Sequence, residues 1–276
     1  MRVGRLVYFG TDPVYPEIAF ANGDVDTRTL LAEHDEVVTY GENIGTGGCT
    51  IPPLPRPKSR TRQPVLLDLW RSGPPSKVEF TTLANWNQDG RDVQPRGDTY
   101  HWSKDREFLK FIDLPSRTEQ PIELATTLKG PRTSDSRTGA AVRALGLDTD
   151  AYLLLNDKGW TLVHGPDFTA DPWRYRDYVS ASRAEFTVAR DLNVRLRSGW
   201  FSERCAPWSP RTPGSRPSCL PTGEGLFAFN TIEEILAAFE AINSDYERHS
   251  RAARAIAEAY FRAETVLAQV LKDLGL

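Results

Sequence analysis

Cysteine, histidine and methionine are scarce in this 276-residue chain, at three, four and one. Cys49, Cys205 and Cys219 match no zinc-ligand spacing, and four histidines leave little to complete a cluster, so no metal site and no bound cofactor are expected. An odd, sparse cysteine count suits free thiols in a reducing compartment. Positive charge is not in excess: 34 Lys and Arg face 37 Asp and Glu, a formal net charge of −3, which argues against a nucleic-acid partner. No apolar run reaches the length of a membrane span. The short run at the start of the chain ends at Asp12-Pro13, too soon for a signal peptide, so the expected location is cytoplasmic. The nucleophile elbow GxSxG, the zinc motif HExxH, the phosphate loop and CxxC are all missing, which removes the common hydrolase and redox readings.

What is present is an ordinary globule, 39% hydrophobic and 26% charged, with enough chain for one or two domains. Short apolar runs read as strands at Arg5–Phe9 (RLVYF), Glu36–Tyr40 (EVVTY), Val78–Leu83 (VEFTTL), within WTLVHG at 160–165 and at Phe186–Ala189 (FTVA). A short helical piece is expected at 29–33, and Glu123–Leu128 is an element of undecided type. Apolar patterning resumes at AYLLL, 151–155. Ser103 is expected to cap a helix through KDREFLKFIDL, and Pro172 to open one with Trp173, Tyr175, Tyr178 and Val179 on a buried side. Thr231 and Glu234 form a capping box ahead of Ile232, Ile235, Leu236 and Phe239, and two more helices follow at 246–260 and 263–274. Strands alternating with helices give an α/β class. The proline clusters at 52–57 and 207–217 continue neither helix nor central strand. Arg71–Lys77 (RSGPPSK) is the best boundary signal, dividing the chain into 1–75 and 76–276.

Four segments carry candidate chemistry, each with a plainer reading beside it. GENIG at 41–45 follows a strand, so its amides suit an anion and Glu42 a sugar or ribose hydroxyl; alternatively it is a simple turn. Lys104 sits in a first helical turn, where a cation beside unsatisfied N–H groups suits a diphosphate, or is a surface lysine. In RSGWFSER (197–204), Ser198, Gly199 and Ser202 line a loop with Arg204 just beyond, a pattern for a phosphoryl group, and Glu203 pairs with a hydroxyl or with Arg204. In LPTGEGLFAF (220–229), Gly223 and Gly225 permit tight paths and Glu224 can reach a ribose, or the segment is a strand entry. His34, His101 and His164 are the candidate general bases, while His249 reads as a solvated helix residue.

Together TYGENIG (39–45), TRQPVLLDLW (61–70), FTTLANW (80–86), YHWSKDREFLKFIDLP (100–115), SRAEFTVARDLNVRLRSGWFSERCA (182–206) and LPTGEGLFAFNTIEEILAAFEAI (220–242) resemble a bacterial family of glycosyltransferase-like proteins related to the CgeB-type and group-1 glycosyltransferases. The resemblance implies a GT-B fold, two Rossmann-like domains facing across a cleft, here with an incomplete N-terminal domain before a C-terminal nucleotide-sugar-binding domain. It implies metal-independent transfer of a sugar from a nucleotide-sugar donor to an acceptor the sequence does not identify. Lys104 matches the lysine near the donor diphosphate, and Ser202, Glu203 and Arg204 the start of the donor-site helix, with Glu203 toward the transferred sugar. Gly223 and Glu224 match the loop before the closing helices. PWSPRTPGSRPSC at 207–219 departs from the pattern, as does the short N-terminal part, which leaves only His34 in the place of an acceptor-side base. Both departures keep a second expectation open: a non-catalytic remnant that binds nucleotide or a protein partner, including a second copy of itself.

Overall fold

The computed structural model describes residues 4–70, 73–88, 90–129, 146–202, 211–213 and 220–276. Two parallel sheets organise it. The first has the order β1-β2-β3, built from β1 (Val7–Gly10), β2 (Glu36–Thr39) and β3 (Pro57–Arg60). The second has the order β6-β5-β4-β7-β8, built from β4 (Phe80–Ala84), β5 (Ile122–Thr126), β6 (Thr161–His164), β7 (Ala184–Thr187) and β8 (Arg211–Pro213). Every pairing in both is parallel, so each connection must cross back over a sheet face.

β4, β5 and β7 are buried along their whole length, as strands covered on both faces must be. Their core is aromatic. Phe186 stacks on Phe229 with ring centroids 5.3 Å apart, and Phe80 meets Phe239 edge-on at 4.7 Å. Phe239 comes from α8 (Ile232–Ser244), whose capping box is formed as the spacing predicts: Glu234 N–H donates to Thr231 Oγ1 (3.3 Å), and Glu234 Oε2 accepts the Thr231 amide (3.3 Å). α9 (Tyr246–Phe261) follows at once, and α10 (Ala263–Asp273) then leaves the second sheet. Its Val270, with Leu274 just beyond, packs on Val38 of β2, so the end of the chain closes over the first sheet. β1–β3 thus precede residue 75 and β4–β8 follow it, with α10 returned across that division. Where the chain crosses, Val65 N–H donates to Phe261 C=O (2.8 Å) and Ala263 N–H to Val65 C=O (3.0 Å).

Several local expectations are corrected. PVLLDLW forms a bridge at Val65 and a single 3₁₀ turn, Leu67–Leu69. The proline-rich stretch before it contains β3, and AYLLL lies inside helix α4 (Gly146–Asp157). Ser103 does not cap α3 (Asp105–Leu109): its Oγ accepts the Gln88 amide (2.7 Å) and ties the helix entry to the loop after β4. On α6 (Pro172–Ala181), Trp173 is 55% exposed because it stands in the first turn, off the buried stripe. Leu226–Phe229 belongs to neither sheet, although Leu226 and Phe229 are buried. His249 is buried rather than solvated: its Nδ1 accepts the Gly225 amide (3.2 Å), which places the proton on Nε2. That contact is close because Gly225 has φ +72 and a Cβ there would lie 2.3 Å from the Ala253 nitrogen.

α1 (Tyr15–Ala21), which no sequence pattern marks, and α2 (Val25–Ala32) cover one face of the first sheet. Val14, just before α1, stands at φ +91, a strained conformation for a β-branched residue. The buried carboxylate of Glu17 holds it there, Oε2 accepting the Val14 amide at 2.7 Å. Burial pushes the Glu17 carboxyl up from 4.5 to about 7, against the pull of the backbone amides, with the Asp12 charge adding to the rise. A carboxyl with a raised folded-state value binds its proton more tightly folded than unfolded. Its contribution is therefore complete below pH 4.5 and is lost as pH rises through about 7, a decrease of about 3 kcal/mol for this group. Glu17→Gln is expected to remove that slope. Urea unfolding of both proteins at pH 4.5, 6 and 8 checks it, and parallel pH profiles would contradict it.

Candidate functional site

The carboxyl ends of the two sheets face one another across a cleft of about 670 Å³. Thr11 and Asp12 follow β1, Tyr40 follows β2 and Gln63 lies three residues past β3. From the other side come Asn85 after β4, Thr126 and Thr127 at the end of β5, Gly165 after β6 and Arg190 shortly after β7. A parallel strand directs its chain to its carboxyl edge and the return helix starts there, so this edge is where open α/β sheets hold ligands. Seven strands of the two sheets contribute to one cleft by that rule.

Among the described residues two cations line it, Lys104 and Arg190. Lys104 is the residue from which α3 begins. Arg190 precedes α7 (Asp191–Arg195), and its guanidinium is held over Trp102, 3.8 Å from the ring centroid, with Trp200 at 5.9 Å. Its Nη1 donates to Asp12 Oδ1 (3.1 Å), an ion pair that joins the loop after β1 to the loop after β7. Arg91 reaches the other Asp12 oxygen at 3.9 Å. The Arg190 side chain is 17% exposed, so stacking and pairing fix its direction before any ligand arrives. Ser202 is buried and also lines the cleft.

The walls are fastened together at one side of the cleft. Asn43, in GENIG, donates its amide to Ser198 C=O (3.1 Å) and its side-chain Nδ2 to Arg197 C=O (3.1 Å). Gly199 has φ +73, and a Cβ on it would meet the Asn43 backbone nitrogen at 2.8 Å, so only glycine permits this approach. Arg197 itself is at φ +52, and Ser198, fully buried, gives its hydroxyl proton to Asn193 Oδ1 (2.7 Å). GENIG and RSGW, separate candidates in the sequence, form one junction.

Of the sequence-derived site residues, Lys104 and Ser202 share the cleft. Glu203 and Arg204 lie outside the described residues, as does all of 207–219 except 211–213. Glu42 is ion-paired with Arg62 (Nη2 to Oε2, 3.0 Å) and is not among the cleft-lining residues. Glu224 is exposed and engages Arg248 through both oxygens (3.0 and 3.2 Å), a pairing that lowers its carboxyl from the usual range. Gly223 beside it is exposed at φ +105, and neither lines the cleft. His34 stands before the amino end of β2, opposite the cleft, its Nδ1 on Leu30 C=O (2.8 Å), so it does not line the site. His101 pairs with Asp92 (2.7 Å) and His164 with Asp167 (2.8 Å), and neither ring is in the lining. Arg190, Asp12 and Trp200 were not singled out from the sequence. The one signal for Arg190 was its position just past a strand run, FTVA.

Among the described residues no group of three or more His, Cys, Asp or Glu could hold a metal, and no helix is long and apolar enough to cross a membrane. No protein-family model matches the chain, and no curated protein matches its sequence. Solved structures do match in fold. HepE of Anabaena in complex with UDP superposes with a TM-score of 0.58 at 13% identity, covering 98% of this chain and 72% of its own. The same protein with UDP and glucose gives 0.54 at 11% identity, covering 98% and 71%. Sucrose-phosphate synthase from Thermosynechococcus elongatus gives 0.51 at 13% identity, covering 96% and 67%. The fold is therefore GT-B-like, with two Rossmann-like sheets around the cleft.

Because Gly199 serves the junction, Gly199→Ala is expected to cost about 2 kcal/mol, from the left-handed backbone and the contact with Asn43 together. Equilibrium urea unfolding measures it. A change below about 0.5 kcal/mol, in the range of ordinary surface substitutions, would show that the two loops can part without cost.

Proposed function

We propose that the cleft binds a nucleotide-sugar donor and that the protein transfers its sugar to an acceptor. The observation that carries this reading is the placement of Lys104 and Arg190 together at the carboxyl edge of the second sheet, facing the strand ends of the first, with Arg190 held over Trp102 and paired with Asp12. A diphosphate leaving group gains negative charge as the glycosidic bond breaks. Fixed cations at that point stabilise the developing charge with little reorganisation. The HepE complexes with UDP support the reading by likeness of fold. In this proposal the unit after residue 75 holds most of the donor, Ser202 and Arg204 adjoin its phosphates, and Glu203 contacts the transferred sugar. The reaction needs no metal, since the two cations take that role.

One observation favours a second reading, nucleotide binding without turnover. The described lining contains a single carboxylate, Asp12, already paired with Arg190, and no histidine, so a proton acceptor for an incoming hydroxyl is not evident there.

A thermal-shift titration against UDP, GDP, ADP and dTDP and their sugars separates the readings. One nucleotide is expected to raise the melting temperature saturably, and Lys104→Ala and Arg190→Ala each to weaken its binding about tenfold, as for loss of a charge-assisted hydrogen bond. Slow hydrolysis of the matching nucleotide sugar, or transfer to added saccharides, supports catalysis. Binding without either supports the second reading, and a cooperative melt that no nucleotide shifts overturns both.

A further inference from the structure

A second cavity, of about 560 Å³, lies against the first sheet and shares no lining residue with the cleft. At its inner end is Glu17, 1% exposed: its Oε2 takes the Val14 amide, the Thr39 side chain is a further hydrogen-bond partner of the carboxyl, and Oε1 is left without a bond of normal geometry. A buried acceptor so left is costly in a folded protein, and a hydroxyl brought by a ligand would relieve it. Ser59, also buried, gives its proton to Asp273 Oδ2 (2.5 Å) and so offers the cavity only lone pairs. Asp273 is occupied by that bond and by Gln269 (2.6 Å). Above about pH 7, where the Glu17 carboxyl is ionised, both oxygens accept, and two acceptors set deep in a cavity select a ligand with hydroxyl groups.

The rest of the lining narrows the class. Val37, Ile44 and Leu54 give the wall an apolar surface of the kind that covers the C–H face of a sugar ring. Exposed Lys58 and Arg60 stand on β3 at the same cavity. Lys58 has only a loose partner in Glu36, at 3.5 Å, and Arg60 donates one N–H to Ile44 C=O (3.3 Å). The two carboxyl groups of the lining, Glu17 and Asp273, are engaged by Val14, Ser59 and Gln269, whereas Lys58 and Arg60 are exposed, so an acidic group on a ligand finds its partners on β3.

We propose that this cavity is a second ligand site, separate from the cleft, which takes a sugar phosphate with a ring hydroxyl donating to Glu17 Oε1 and the phosphate between Lys58 and Arg60. The proposal does not rest on the donor reading of the cleft.

Isothermal titration at pH 8, where Glu17 is ionised, with glucose 6-phosphate tests it, with glucose and inorganic phosphate as comparison probes. Saturable binding of the sugar phosphate is expected, at least tenfold tighter than either comparison probe. Glu17→Gln should weaken it about tenfold, and so should Lys58→Ala and Arg60→Ala, which are exposed substitutions that leave the fold intact. Lys104→Ala and Arg190→Ala should leave it unchanged. Absence of saturable binding in a protein that melts cooperatively would overturn the proposal. So would binding that Arg190→Ala abolishes and Glu17→Gln does not, which would place the ligand in the cleft, or inorganic phosphate binding as tightly as the sugar phosphate.

Discussion

The cleft depends on two loops from different sheets that meet at Asn43 and Gly199. Asn43 bonds to the carbonyls of Arg197 and Ser198, and the missing Cβ of Gly199 sets how near the loops can come. Everything that lines the cleft is registered against that junction. On one side are the carboxyl edges of β1 to β3, on the other those of β4 to β7. The Asp12–Arg190 pair repeats the connection at the ligand edge, where it also aims a guanidinium. For the transfer proposed above, a fixed separation matters, because electrostatic stabilisation of a leaving group depends on where the cations stand before the bond breaks.

The residues around Arg190 show how scaffold and site are shared. Trp102 is 2% exposed and part of a core with Val14, Ile18, Ile44, Leu192 and Leu196, drawn from both sides of the cleft. Its outer face carries the Arg190 guanidinium. Core packing that holds the two sides together thus also supports the cation. The strained Val14 and the buried Glu17 belong to the same region. A helix start at a sheet's carboxyl edge concentrates such features, because the chain must turn sharply there while its amides still need partners.

Much of this fold was legible in the sequence. Runs such as EVVTY and FTVA mark strands to within about two residues, and the Thr231–Glu234 box sets the start of α8. The failures have physical causes. PKSR, the sequence of β3, has no apolar residue beyond its proline; it pairs with β2 through a register shift and is held by the Ser59–Asp273 bond to a helix more than 200 residues away. His249 looks like one charged helix residue among several, and only the approach of Gly225 shows that it is buried. At the site, Lys104 and Ser202 were readable from motif context. Arg190 was not, because an arginine after a strand is common and only the fold brings Asp12 and Trp102 to it.

The two passages of chain between the sheets lie side by side, Val65 bonded to Phe261 and Ala263 in the manner of a very short parallel bridge. That pairing ties the sheets on a line of its own, apart from the Asn43 junction and the core around Trp102. Walls tied in more than one place keep their spacing, so a ligand meets a cleft whose width is already set and loses little of its binding energy to arranging it.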